Sequence, residues 1–306
     1  MLENILPSEI ARSLSTLNSK SLCEIRLRIN RPITVNYVNS YYFLGQAGLC
    51  KEQNAFVCTK EIIQSVLNKA SNFSLYAIND ELKNGYVSVK GGIRIGITGE
   101  VVMESDKILT TKNISSINIR IPHQVAGCAY KISKFLFDET LSPQNALILG
   151  SPGTGKTTIL RDLCCQINNT KKELNILLLD ERMEISASFN GVPELNVGTS
   201  TDIISGGRKN INIINGIRSM SPDIVVVDEI GNLQDIEAVE VAVNMGICIL
   251  ASVHSKNIFE LQKKKEFENL LKSKSFKRYI ELSNRNGKGT IENIYDENFR
   301  SMLRPV

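Results

Sequence analysis

Residues Gly150, Ser151, Pro152, Gly153, Thr154, Gly155, Lys156 and Thr157 satisfy G-x-x-x-x-G-K-[ST] at every fixed position, directly after the apolar run Ala146-Leu-Ile-Leu149. Such a loop belongs between the carboxyl end of a buried strand and the amino end of a helix. A triphosphate needs several backbone N–H groups aimed at it from short range. Gly150, Gly153 and Gly155 remove Cβ atoms that would block that approach and tolerate positive φ, so the loop can curl into an anion nest. Lys156 then sets a point charge on the β and γ oxygens, and the Thr157 hydroxyl ligates Mg2+. Residues 157–167 read as the helix that follows, its positive end facing the same phosphates, and Thr158 completes the binding stretch. A chance glycine turn would not bring both flanks with it. The expected ligands are ATP and Mg2+.

The rest of the chain from residue 144 onward keeps this rhythm. Apolar strands at 146–149, 175–180, 223–228 and 247–252 alternate with helical runs at 157–168, 210–220 and 235–245. Near-continuous apolar strands joined by crossover helices imply a parallel sheet covered on both faces, a doubly wound core. Residues 263–276 read as a charged, solvated helix, and 279–295 as a hairpin around Asn286-Gly287.

Before the core the pattern changes. Residues 7–17 have helical spacing, and 23–29 alternate, with Glu24, Arg26 and Arg28 on one face and Ile25, Leu27 and Ile29 on the other. Further strands are expected at 32–38, 41–44, 86–103 and 116–121, and helices at 60–72 and 75–84. A linker and helix over 126–140 lead into the core. The expected organisation is a smaller α+β domain over residues 1–125, then an α/β nucleotide-binding domain over 126–306 that ends in the hairpin.

Three strand ends carry the remaining chemistry. In a parallel sheet the carboxyl ends of the strands face the ligand crevice. Asp228 and Glu229 end an apolar run there, so Asp228 can hold the metal, directly or through water, and Glu229 can polarise the attacking water. Asp180, Glu181 and Glu184 end a neighbouring run and add carboxylates, with Glu184 an alternative water activator. His254, one of only two histidines, sits at a third strand end, where it can sense or orient the γ-phosphate. His123 reads as structural. Arg94 and Arg120 lie on strands before the core, and taken alone they read as solvated.

Composition sets the outer limits. With 306 residues and 42% apolar content, two ordinary domains with real cores are expected. No run approaches the roughly 20 apolar residues that span a bilayer, and the first residues lack a signal-peptide pattern, which predicts a cytoplasmic protein. Seven cysteines without a C-x-x-C pair read as reduced thiols. A net charge of +4, with no aromatic-rich basic stretch, argues against nucleic acid as the partner.

Taken together, these residues resemble the RecA-like type II and type IV secretion traffic ATPases. Residues 217–223 leading into Asp228-Glu229 look like that family's Walker B box. Residues 180–184 look like its Asp box, and 242–246 through Ser252-Val-His254-Ser255 look like its His box. Residues 24–29, 118–121, 180–182, 191–193, 218–223, 225–231 and 284–289 are more closely similar to the stage III sporulation AA family, over nearly the whole chain. The resemblance implies a RecA-like P-loop core and a cytoplasmic ATPase of endospore-forming bacteria, peripheral at the mother-cell face of the membrane. It also implies a homo-oligomer, hexameric in the wider family, that acts with other stage III sporulation channel proteins. Arginines of the N-terminal domain close over the nucleotide in that wider family, which makes Arg94 and Arg120 candidate closure residues. The chain departs from the general pattern at Asp228 and Gly231, where the secretion ATPases carry Gly and a basic finger. Arg182, Arg218 or an N-domain arginine would have to fill that role. Two rival readings are a nucleotide-dependent assembly scaffold that does not hydrolyse ATP and a nucleic-acid remodeller on the same core.

Overall fold

Where apolar and polar residues alternate in the first part of the chain, each run becomes a strand with one face buried. A computed structural model describes residues 2–71, 79–83, 85–104, 106–171 and 173–303, and the chain divides into two units, Met1–His123 and Gln124–Val306. The first unit contains α1 (Ser8–Leu14), β1 (Leu22–Arg28), β2 (Arg31–Pro32), β3 (Thr34–Tyr37), β4 (Ser40–Gly45), β5 (Gly48–Cys50), β6 (Val57–Cys58), α2 (Lys60–Ala70), α3 (Asn79–Lys83), β7 (Tyr86–Val89), β8 (Ile93–Glu104) and β9 (Lys107–Arg120). Seven strands form an antiparallel sheet in the order β5-β4-β3-β1-β9-β8-β7, and β2 pairs separately with β6. Ile25, Leu27, Val35, Ile95 and Ile119 are buried in one core with Ile10, Ile63 and Val66 from α1 and α2.

Some boundaries differ from the pattern reading. The helix expected over 7–17 stops at Leu14, because Ser15 and Thr16 hydroxyls bond back to the Arg12 and Ser13 carbonyls and compete with the next helical turn. Of the helix expected at 75–84, Asn79–Lys83 is helical, and residues 75–78 and 84 lie outside the described residues. The strand expected at 116–121 is only the end of β9, whose polar first half pairs with β8 through Glu104↔Lys107.

The second unit is built on continuous apolar strands. It contains α4 (Tyr130–Ser133), β10 (Ala146–Leu149), α5 (Lys156–Thr170), β11 (Ile176–Asp180), β12 (Thr201–Ser205), α6 (Lys209–Met220), β13 (Ile224–Val227), α7 (Leu233–Asn244), β14 (Cys248–Val253), α8 (Ile258–Gln262), α9 (Glu268–Lys272), β15 (Arg278–Ser283) and β16 (Thr290–Tyr295). The strand order is β12-β11-β13-β14-β10-β15-β16, parallel throughout except for β16 on its edge. Successive residues of each central strand feed opposite cores: Leu147, Leu177, Val225 and Ile249 on one face, Ile148, Leu178, Val226 and Leu250 on the other. Each such Leu or Ile contributes about 1.5–3 kcal/mol by leaving water. The sheet is thereby held rigid behind its carboxyl edge.

Two expected helices of this unit are corrected. Over 126–140 only Tyr130–Ser133 is helical, since Gly127 turns to φ 79 and the Asp162 carboxylate takes the Gly127 and Ala129 N–H groups at 2.9 and 2.7 Å. The run 263–276 is not one charged helix. It folds into a turn and the five-residue α9, ended by Lys274 at φ 52, so that Phe267, Leu270 and Phe276 can all reach the core.

Candidate functional site

β10 ends at Leu149 and α5 starts at Lys156, so residues 150–155 form the loop between a buried strand and a helix. Gly153 and Gly155 adopt φ 77 and 96, conformations that only glycine reaches without strain. A Cβ on Gly153 would meet nothing within 4 Å, which leaves that side of the loop open to a ligand. At Gly150 it would collide with the Thr154 side chain, so close packing demands glycine there. The loop borders a cleft of about 400 Å³ that also takes in Thr157, Thr158, Glu181, Arg182, Glu184, Lys209, Asp228, Glu229, His254 and Lys288.

Lys156 folds back onto its own loop, donating to the Gly150 and Ser151 carbonyls at 2.7 and 3.1 Å and to His254 Nδ1 at 3.0 Å. Burial pulls its ammonium below the ordinary lysine range, against the pull of Glu229 and Asp228. An ammonium has no lone pair to offer, so Nδ1 of His254 accepts and Nε2 carries the proton. That nitrogen lies 2.9 Å from Glu229 Oε1. Lys156, His254 and Glu229 are thus one hydrogen-bonded chain.

Beside it, Thr157 Oγ1 lies 3.5 Å from Asp228 Oδ2, a pair of hard oxygen donors of the kind Mg2+ selects. Burial, and then the charges of Glu184 and Asp180, push the Asp228 carboxyl up to about 6. Glu229 follows at φ 48, a left-handed conformation that persists where its surroundings fix it. Ser252, fully buried on β14, accepts the Glu229 N–H at 3.0 Å and donates to Asp228 Oδ1 at 3.2 Å. Lys209, the first residue of α6, donates to the Glu229 carbonyl at 2.6 Å and pairs with Glu181 at 3.1 Å.

The Asp180 group is more structural than its position on the strand suggests. Asp180 is buried and does not line the cleft, accepting the N–H groups of Glu184, Ile185 and Ser186 at 2.7–3.1 Å and the Ser186 hydroxyl at 2.6 Å. Arg161 of α5 donates to the carbonyls of Ile185 and Glu184. Glu184 is thereby held from both sides, and it lines the cleft with Glu181. Of the basic alternatives, Arg182 lines the cleft, whereas Arg218 is exposed in the last turn of α6.

Arg94 and Arg120 belong to the first unit, opposite each other in the β8–β9 register. Arg94 lies over the Tyr86 ring at 3.5 Å, and Arg120 pairs with Glu24 at 3.5 Å. Burial pushes the Glu24 carboxyl up, but the Tyr41 hydroxyl, Arg26 and Arg120 outweigh it and hold it below the usual range. His123 bonds to the Leu22 carbonyl at 2.8 Å. All seven cysteines are free thiols. Among the described residues, no helix is long and apolar enough to cross a membrane.

The family model for sporulation stage III, protein AA, matches residues 1–302. The chain belongs to that family. Stage III sporulation protein AA of Bacillus subtilis (strain 168) is 35% identical over 306 residues, 98% of this chain and 96% of that one. Among solved structures, the Legionella pneumophila ATPase DotB superposes with a TM-score of 0.58 at 14% identity, over 90% of this chain and 76% of its own. The pilus retraction motor PilT with bound ADP superposes with a TM-score of 0.58 at 12% identity, over 89% and 76%. The fold is that of the RecA-like secretion ATPases.

Lys209 and Ser252 have no place in the pattern reading as site residues. Lys209 is a single lysine after Gly206-Gly207, and only recognition of β12 as a strand would have put it at the carboxyl edge. Ser252 sits within the His-box resemblance, but its hydroxyl gains meaning only from the strand alongside.

Proposed function

We propose that this chain is an Mg2+-dependent ATPase that works as a ring of identical subunits at the mother-cell face of the membrane. There it powers or assembles the mother cell to forespore channel with other stage III sporulation channel proteins. The observation that carries the enzymatic part is the chain from Lys156 through His254 to Glu229, lying beside the Thr157 and Asp228 oxygens.

The residues present fit magnesium and a triphosphate: two hard oxygen donors, a loop open at Gly153, and a lysine whose present partners are mostly carbonyls. Mg2+ held by Thr157 and Asp228 would neutralise charge developing on the phosphate oxygens. Lys156 exchanges its carbonyl partners and His254 for phosphate oxygens. His254, freed at Nδ1, keeps its Nε2 proton toward Glu229, and only on taking up a second proton at Nδ1 does it donate to a phosphate oxygen. Glu229, fixed by Ser252 and Lys209, orients the attacking water and accepts its proton, with Glu184 as the second carboxylate within the cleft. Gly231 offers no cation, and Arg182, which lines the cleft, supplies the closing charge.

Phosphate release by the purified oligomer, with and without the membrane partners, tests this reading. Wild type should turn over MgATP, and Glu229→Gln should bind it equally while turnover falls by about 10²–10⁴-fold. Absence of turnover under every condition, with binding intact, would leave a nucleotide-dependent scaffold and overturn the enzymatic assignment.

A further inference from the structure

The segment Asn284-Arg-Asn-Gly-Lys-Gly289 joins β15 to β16 and has no part in the chemistry above, yet it touches the phosphate-binding loop. Gly289 N–H donates to the Thr154 carbonyl at 2.8 Å. A Cβ on Gly155 would come within 3.3 Å of Gly289 N and 3.9 Å of Lys288 C. Backbone lies against backbone because Gly287 and Gly289 take φ 104 and 82.

The tip is also braced from behind. Thr290 Oγ1 donates to the Gly287 carbonyl at 2.7 Å, and Glu292 accepts from Ser283 at 2.5 Å and pairs with Arg285 at 3.9 Å. A loop held this way fixes the backbone of its one lysine, so only the side chain has freedom to lose on binding. Lys288 lines the cleft beside Gly155 and Lys156.

Charge balance shows why that lysine matters. The cleft is lined by the cations Lys156, Arg182, Lys209 and Lys288 and the anions Glu181, Glu184, Asp228 and Glu229. Lys209 is already bound to Glu181 and to the Glu229 carbonyl. Among the described residues, no acid pairs with Lys288. An arriving polyphosphate therefore meets an uncommitted ammonium on a fixed support.

We propose that Lys288 is a second phosphate-binding lysine, presented by the β15–β16 tip to the polyphosphate chain of a nucleoside di- or triphosphate held by the Lys156 loop. This rests on the nucleotide reading of the cleft. The Gly289 bond to Thr154 makes the tip and the loop one support, so Lys156 and Lys288 are positioned relative to each other before the ligand arrives.

The test is displacement of a fluorescent ATP analogue, with Mg2+, by MgATP and by inorganic tripolyphosphate. Wild type, Lys288→Ala, Lys288→Arg and Lys156→Ala are compared, with melting curves for each. Lys288→Ala should melt like wild type and bind both MgATP and tripolyphosphate about tenfold more weakly, as expected for one lost charge-assisted contact. Lys288→Arg should stay within about threefold of wild type, because the charge is retained. Undiminished affinity in Lys288→Ala, or a loss for MgATP that tripolyphosphate does not share, overturns the assignment while Lys156→Ala still shows the expected loss. Wild-type affinity in Lys156→Ala would overturn the nucleotide reading itself.

Discussion

Replacing Ser252 by alanine removes one oxygen and two interactions at the centre of the site. The hydroxyl accepts the Glu229 N–H at 3.0 Å and donates to Asp228 Oδ1 at 3.2 Å, from a fully buried position on β14. A buried N–H left without an acceptor costs about 1–3 kcal/mol, and a hydrogen bond to a charged group contributes about 1.5–3 kcal/mol. The two do not simply add, because the Asp228 carboxylate borders the cleft and water can replace its lost donor. Glu229 also sits at φ 48, strain of about 1–3 kcal/mol that its fixed N–H helps to hold. The Ile230 N–H bond to the Ser252 carbonyl at 2.8 Å survives the change, so the strand end loosens without detaching. The expected net loss is about 2 kcal/mol, or a melting point lower by about 4–8 °C for a unit of this size. Hydrogen exchange should show the Glu229 amide losing protection while the amides of β13 keep theirs. If Ser252→Ala melts within a degree of wild type and leaves the Glu229 amide protected, the hydroxyl is not what holds these two acids.

Other changes test other parts of the framework. Asp180→Asn sets an amide NH2 against donors that now share one buried carboxylate and takes a countercharge from buried Arg161. A loss of about 3 kcal/mol is expected, seen as faster proteolysis of residues 181–200. Gly216→Ala would gain about 1 kcal/mol of helix propensity, but its Cβ would lie 2.5 Å from Leu177 Cδ2 and 3.0 Å from Ile204 Cδ1. Overpacking of about 1–3 kcal/mol should win, lowering the urea midpoint, and an unchanged or raised midpoint would show that α6 yields freely. Asp228 is raised to about 6 from 3.8, so the folded state holds its proton more tightly than the unfolded chain does. Its contribution is therefore present at low pH and lost as pH rises between these values, on the order of 3 kcal/mol. Asp228→Asn should flatten that part of the stability profile and raise the melting point at pH 7–8, and a profile parallel to wild type would count against it.

Much of the second unit was legible because its strands are almost purely apolar. Residues 146–149, 176–180, 224–227 and 248–253 have no other way to bury every side chain, and the glycine loop marks which edge carries the candidate site. β12 escaped notice because Thr-Asp-Ile-Ile-Ser is a half-buried edge strand, polar at three of its five positions. The first half of β9 was missed for a related reason: Lys107 to Ser115 is mostly polar, with its apolar Ile108 and Leu109 exposed, and it is a strand because β8 pairs with it. The helices expected at 126–140 and 263–276 failed where local spacing was overruled, by the Asp162 carboxylate in one case and by the burial of Phe267, Leu270 and Phe276 in the other. In the site, residue types at strand ends pointed to Asp228, Glu229, Glu184 and His254. The burial of Asp180, the hold of Lys209 on Glu229 and the approach of Gly289 to the loop depend on elements far apart in the chain, and no local pattern contains them.

The central claim is that Lys156 and its glycine loop bind the phosphates of a magnesium nucleotide. Isothermal titration of MgATP into the wild-type chain and into Lys156→Ala measures this directly. Saturable binding by wild type is expected, with a loss of at least about a hundredfold in the variant, equivalent to roughly 2.7 kcal/mol. Equal affinities in the two, or no saturable binding by the folded wild type, would contradict it.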